Sequence, residues 1–258
     1  MKYDKNFVLN MKKAGKLAAK VLNEVVRHAK KGVTTNELDQ IAYEHTLSLG
    51  AEAACLGYKG YPKTICTSIN DILCHGVPDD TKLKDGDIIN IDVTIRLPSG
   101  HHGDTSITVY IDGEEADSDK TQKLELISLA KQARDAGIAA VRPKGTVGDI
   151  GFMTYNAINK YKGKYAAAAD IGGHGIGKKF HDHPFVPPTG TWGDGFILRP
   201  WTCITVEPIV VDGNPAYSSH KIENSEIVLF KTLSGKNACQ FEHTVLVTDV
   251  GYEILTLE

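Results

Sequence analysis

One order of features occurs twice along the chain: a helix, a Lys-Gly step, a second helix, then strand-like runs. In the first half, Met11 to Lys31 carries Ala14, Leu17, Ala18, Val21 and Val25 at helical spacing and stops at Gly32. "TTNE" at Thr34 to Glu37 has the form of a capping box, and a second helix continues through Leu38, Ile41 and Ala42. "DIINIDVTI" and "DTSITVYI" then flank "RLPSG" and read as a hairpin. In the second half, Lys123 to Val141 reads as a helix and "KGTVGDIG" at Lys144 to Gly151 echoes "KGVTTNEL" at Lys31 to Leu38. A helix follows through Tyr155 and Ile158, and "WTCITVEPIVV" and "QFEHTVLVT" return to strand. Each half also has a His-Gly pair, His75-Gly76 and His174-Gly175. Each then sets two acids on successive strand-like runs, Asp92 and Asp104 first, Glu207 and Glu242 second. The repeated order predicts an internal duplication with a pseudo-twofold axis, which would bring the two acid pairs together. No Pro/Gly/Ser-rich linker divides the halves, so residues 1–258 read as one α+β domain.

Strand alternation says where the acids point. Ile89, Ile91, Val93 and Ile95 share one face; Asn90, Asp92 and Thr94 share the other. On the next run Asp104 lies with Ser106 and Thr108, opposite an apolar stripe of Ile107, Val109 and Ile111. The two aspartates are expected roughly opposite each other across a turn near Pro98, where like charges repel unless a cation lies between them. Glu207 follows Ile204 and Val206, and Glu242 shares a face with Gln240 and Thr244. Four separate solvent-facing acids on edge strands would also fit such runs. An acid inside an apolar strand is costly to bury alone, and four of them in matched positions favour a shared metal centre. "GGHGIGKKFHDHP" at Gly172 to Pro184 supplies imidazoles. Four carboxylates and one imidazole suit two divalent ions, favouring Mn, Fe(II) or Co, with Zn possible.

Composition closes other routes. A net charge of −3 gives no basic field for nucleic acid, and Lys12, Lys13, Lys16 and Lys20 read as a solvated helix face. No apolar run reaches membrane-spanning or signal-peptide length. Cys55, Cys66, Cys74, Cys203 and Cys239 form no CxxC pair, so reduced thiols in a cytoplasmic protein are expected.

The chain resembles type I methionine aminopeptidases of the pita-bread fold over essentially its full length. The resemblance is carried by "ACLGYKGYPKTICTSINDILCHGVPDD", "DGDIINIDVTI", "HHGDTS", "GGHGIGKKFHDHP", "CITVEPIVV" and "CQFEHTVLVTD". It implies that Asp92, Asp104, His174, Glu207 and Glu242 are metal ligands, with Asp104 and Glu242 bridging two ions. It implies that His75 and His181 contact substrate and steady the transition state. It further implies that Cys55, Tyr58, Tyr61, Cys66 and Phe180 receive the methionine side chain, and that Glu207 also moves a proton. His183 matches no family role and reads as a surface residue. The expected substrate is the N-terminal methionine of nascent polypeptides with a small second residue. Transient ribosome association and a monomer are implied by family role alone. Two departures stand out: "RLPSGHH" is one residue longer than in the bacterial enzymes, and the tryptophan they carry near Val228 is absent from "IVLFKTL".

Other pita-bread peptidases, prolidase and aminopeptidase P, share the ligand order but usually add an N-terminal domain. A non-catalytic binding module of the same fold would typically lack ligands, and all five are present here.

Overall fold

The computed structural model describes residues 4–114, 117–161 and 163–258. Helix α1 spans Lys5–His28 and α2 spans Thr35–Ser48. The first begins before the helix expected from Met11, because the Asp4 carboxylate accepts from the Asn6 and Phe7 amides. Val8 and Met11 are thereby buried against Ile176, Cys203, Leu246 and Leu255. It also ends at His28 rather than Lys31. Helix α2 starts from the expected capping box: the Glu37 amide donates to Thr34 Oγ1, and the Thr34 amide donates to Glu37 Oε2.

Five strands follow in the first half: β1 (Glu52–Ala53), β2 (Cys66–Ile69), β3 (Ile72–Cys74), β4 (Ile88–Arg96) and β5 (His102–Tyr110). The second half opens with α3 (Lys120–Ala139) and α4 (Val147–Asn159). Thr146 and Asp149 form a capping box at the start of α4, as the echo of the Lys31 segment suggests. Then come β6 (Tyr165–Ala167), β7 (Gly173–Gly175), β8 (Asp182–Val186), β9 (Cys203–Val206) and β10 (Ile209–Asp212). Strands β11 (Tyr217–Lys221), β12 (Val228–Thr232), β13 (Ala238–Gln240), β14 (Glu242–Val247) and β15 (Tyr252–Ile254) complete the order.

Among the described residues, the main sheet runs β1-β4-β5-β14-β9-β7-β8, with β2 on β4 and β15 on β14. The order is the pita-bread arrangement, antiparallel and contributed by both halves, which meet where β5 pairs β14. The apolar stripe expected on β4, Ile89, Ile91, Val93 and Ile95, packs on Ala14, Ala18, Val21 and Val25 of α1. Contact is so close that a Cβ on Gly103 would lie 2.4 Å from the Ala14 carbonyl carbon, so glycine is required where helix meets strand. In the second half, Ile138, Val141, Val147 and Ile150 cover Ile204, Val206, Val245 and Val247. Helices on one face leave the polar face of the sheet free to build a site.

Two expectations are corrected. "WTCITVEPIVV" is not one strand: β9 ends at Val206 and β10 begins at Ile209, in a different sheet. Pro208 has no amide to donate to a ladder, and the break places Glu207 just past the strand end. Asp92 and Asp104 are also not opposite each other. Asp92 pairs with Ser106, and Asp104 with Thr94, so the aspartates lie diagonally on one face.

Candidate metal centre and active site

Five neighbouring strands deliver the five expected ligands in order across the sheet: Asp92 on β4, Asp104 on β5, Glu242 on β14, Glu207 after β9 and His174 on β7. All five line one cavity of about 280 Å³. Asp104, His174 and Glu242 each offer a ligand atom within 4.8 Å of the other two. His174 Nε2 lies 3.5 Å from Glu207 Oε1 and 3.7 Å from Asp104 Oδ2.

Threonine side chains stitch the two halves together behind this cluster. Backbone pairing between β5 and β14 covers Ser106 with Glu242 and Thr105 with His243. Thr105 Oγ1 donates to the Glu242 carbonyl at 3.0 Å, and Thr244 Oγ1 to the Asp104 carbonyl at 2.8 Å. Thr108 Oγ1 donates to the Gln240 carbonyl at 2.7 Å, and Asn90 Nδ2 reaches the same carbonyl at 3.0 Å.

The carboxylates are oriented one by one. Thr94 Oγ1 donates to Asp104 Oδ1 at 2.8 Å. Thr205 Oγ1 donates to Glu207 Oε1 at 2.7 Å and accepts the His174 amide at 2.9 Å, linking those two residues. Gln240 Nε2 donates to Glu207 Oε2 at 3.0 Å. Glu242 Oε1 is buried with no hydrogen-bond partner. The glycines beside His174 are required by crowding. A Cβ on Gly173 would lie 2.2 Å from the Thr205 carbonyl oxygen, and one on Gly175 2.0 Å from that of His183.

Electrostatics fit a cation. Burial pushes the Asp92 carboxyl up to about 7 and, with Asp92 beside it, the Glu207 carboxyl up to about 8. Asp104 and Glu242 are raised well above the usual carboxylate range by burial and then by their acidic neighbours. Burial pulls the His174 imidazole down to about 4, so it is neutral and offers a lone pair. Hard oxygens, one neutral imidazole and an orphaned carboxylate oxygen form a donor set for divalent ions.

A second cluster adjoins the first. Cys55, Tyr61, Cys66 and Phe180 are buried together, with Tyr58 packed against them. Tyr61 Oη donates to the Gly76 carbonyl at 2.9 Å, which fixes its ring as a wall. The Tyr58 and Phe180 rings are 4.8 Å apart. Cys55 Sγ donates to Thr94 Oγ1 at 3.6 Å, so this apolar pocket touches the support of Asp104 directly. Hydrogen bonding to Cys55 and burial raise the Cys66 thiol, which suits an apolar lining rather than a nucleophile.

His75 and His181 flank the ligands. His75 has φ +60° and its Nδ1 faces the Val228 carbonyl at 2.8 Å, leaving Nε2 free. A Cβ on the next residue, Gly76, would lie 2.1 Å from the Thr67 carbonyl oxygen. His181 Nδ1 lies 3.0 Å from Tyr58 Oη, and its ring centroid is 4.2 Å from that of His174. Packing around the His181 ring, with His174 and His75 nearby, pulls it down to about 3, whereas burial lowers His75. Every sequence-predicted site residue therefore lines this one cavity. His183 is exposed and outside it, as expected.

Sequence reading missed several lining residues, among them Phe185, Ile227 and Phe230. Ile227 packs against the Cys55–Phe180 cluster, and the Phe230 ring lies 6.0 Å from that of His75. The signal was present in "EIVLF", where the expected tryptophan is absent but apolar bulk is kept on either side of Val228.

Residues 9–249 match the model of metallopeptidase family M24. The chain is 42% identical over 254 residues to the methionine aminopeptidase of Rickettsia prowazekii (strain Madrid E), covering 98% of this chain and 93% of that protein. The crystal structure of methionine aminopeptidase from Rickettsia prowazekii superposes with a TM-score of 0.91 at 39% identity, covering 99% of this chain and 98% of the other. The Thermotoga maritima methionine aminopeptidase gives a TM-score of 0.90 at 30% identity, covering 99% and 98%. A Pyrococcus horikoshii prolidase shares the fold at 20% identity and a TM-score of 0.74; it covers 98% of this chain, which spans 62% of that protein.

Proposed function

The chain belongs to metallopeptidase family M24, and we infer from that membership and from the site that it is a metal-dependent aminopeptidase removing N-terminal methionine. The observation that carries the reading is adjacency: a closed pocket of Cys55, Tyr61, Cys66 and Phe180 shares one cavity with four carboxylates and His174. A thioether suits such a pocket of aromatic and sulfur contacts. Residues 1–258 act as one catalytic domain, because ligands from both halves are needed for one site.

Asp92, Asp104, His174, Glu207 and Glu242 would hold the divalent ions, two by the family resemblance, and Asp104 and Glu242, on the paired strands β5 and β14, are the residues that would be shared. Such ions, Mn, Fe(II), Co or Zn, act as Lewis acids that lower the pKa of water and polarise a carbonyl. Glu207 takes a proton at a carboxylate oxygen and delivers it to the leaving amine, acting as base and then as acid. Thr205 and Gln240 fix the carboxylate plane for that transfer. His75 Nε2 and His181 Nε2 point their free nitrogens toward the substrate backbone, because each Nδ1 is already occupied. Tyr58, Tyr61 and Phe180 exclude water around the methionine side chain and orient the bond beside the acids. The family resemblance implies a tight space for the second residue, which admits small side chains such as Ala, Gly, Ser or Pro.

The natural substrates are nascent polypeptides in the cytoplasm, met transiently at the ribosome by a monomer. Among the described residues, no helix is long and apolar enough to cross a membrane. Hydrolysis of Met-Ala-Ser in the presence of Mn, Co, Fe(II) or Zn ions, with none of Ala-Pro, is the expected result. Cleavage of Ala-Pro instead would favour the prolidase reading, and neither activity nor metal uptake would favour a binding module.

A further inference from the structure

A second groove of about 530 Å³ lies against the outer side of the Tyr58, Phe180 and His181 wall. The three residues line both this groove and the active-site cavity, so the partition between them is one ring thick. His181 stacks on Phe180 with centroids 4.3 Å apart, and Phe180 stacks on His102 at 5.6 Å, carrying the wall from the metal cluster into the groove. Ala54 and Leu56 line it, and the exposed side chains of Glu52, Arg96, Lys178 and Lys179 form its charged rim.

The charges on that rim are unequal. Arg96 is paired with Glu52, and Lys179 with Asp182 at 3.3 Å. Lys178 is exposed and has no carboxylate partner among the described residues. Lys59 lies over the Tyr58 ring at 5.7 Å, outside both the groove and the cavity. The cavity therefore gathers four carboxylates, while the groove beside it carries one cation, Lys178, without a carboxylate partner among the described residues.

We propose that this groove is a subsite for substrate residues beyond the second, and that Lys178 selects acidic side chains there. The proposal rests on the aminopeptidase reading above. An extended chain advances about 3.3 Å per residue, so the third to fifth residues of a substrate anchored in the methionine pocket reach past a wall one ring thick. Its hydrogen-bonding backbone meets His181, and its side chains meet the groove rim. Basic residues at those positions face Lys178 and are disfavoured.

The test compares Met-Ala-Ser-Glu-Glu with Met-Ala-Ser-Lys-Lys on the metal-loaded enzyme. At low ionic strength, kcat/KM is expected to favour the acidic peptide by about two- to fivefold, the range of an exposed ion pair. The ratio should shrink toward one near 0.5 M salt, where the screening length falls to about 4 Å. Lys178→Glu should reverse the preference and leave turnover of Met-Ala-amide, which ends before the groove, unchanged. Equal rates on the two peptides, or a preference that survives in Lys178→Glu, would overturn the subsite. If no methionyl peptide were cleaved, the aminopeptidase reading would fail instead. Isothermal titration of the acidic peptide into wild type and Lys178→Glu then still decides the subsite, since loss of binding in the variant supports it and unchanged binding rejects it.

Discussion

Strip the divalent ions from this protein and its stability should fall as the solution becomes more alkaline. The cause is Glu207, whose carboxyl is pushed from 4.5 to about 8 by burial and by Asp92. Between pH 6.5 and 8 the unfolded chain has lost that proton, while the metal-free fold retains it. The fold binds one proton more, so unfolding free energy declines by about 1.4 kcal/mol per pH unit. Over that window the loss is about 2 kcal/mol from Glu207 alone. Asp104 and Glu242, raised well above the usual range, steepen the slope. The window must start near pH 6.5, because His174, pulled to about 4, and His243, pulled to about 3, act with the opposite sign below it. Their protonation favours the unfolded chain, so their contribution is lost as pH falls and is complete once both states are neutral. Urea midpoints of chelator-treated protein at pH 6.5, 7.2 and 8.0 measure the effect. Glu207→Gln should flatten the slope by about one proton. Saturating Mn ions should reverse it, because metal and protons compete for the same oxygens. A flat metal-free profile, or a slope unaltered in Glu207→Gln, would refute the reasoning.

Glu242→Ala removes the ligand proposed to be shared and should abolish metal-dependent hydrolysis with loss of one bound ion, read by elemental analysis beside a Met-Ala-Ser assay. His75→Ala and His181→Ala should retain both ions yet lose about 10² to 10³ in kcat, the usual cost of a transition-state hydrogen bond; loss of metal in either would move that histidine into the ligand set. Ile227→Ala opens the methionine pocket opposite Cys55 and Phe180. It should lower kcat/KM on methionyl peptides about tenfold, as expected for part of one aliphatic side chain's burial, and an unchanged value would remove Ile227 from the pocket. Gly103→Ala forces a methyl group into the Ala14 backbone and should lower stability by about 1–3 kcal/mol or more, measured as a urea midpoint shift.

Periodicity carried the ligands further than it carried the element ends. Asn90, Asp92 and Thr94 alternate with buried isoleucines, so the polar face of β4 could be read residue by residue, and it is the face that holds the site. Thr34 and Glu37 announced α2 because the two bonds of a capping box are local. The early start of α1 was less legible. Asp4 caps it, but Phe7 and Val8 are held by residues from the far end of the chain, such as Leu246 and Leu255. Breaks after Val206 and Gln240 divide apolar runs that look continuous. Pro208 marks the first; at Phe241 the chain turns from the β13 sheet into the β14 sheet with no breaker residue to signal it. Phe230 on β12, Ile227 just before it and Phe185 on β8 line one cavity only because two different sheets come together there. No local spacing encodes that meeting.

Among the described residues, the halves of the chain pair in the main sheet at two positions, Ser106 with Glu242 and Thr105 with His243. Each half alone holds an incomplete grip: Asp92 and Asp104 on one side, His174, Glu207 and Glu242 on the other. A divalent ion held across this seam is thus a clasp between two leaves. Parting the leaves and releasing the ion are one event seen from two sides, so the rate at which a chelator strips the protein times the breathing of that joint, its two backbone pairs and the Thr105, Thr108 and Thr244 bonds that stitch them.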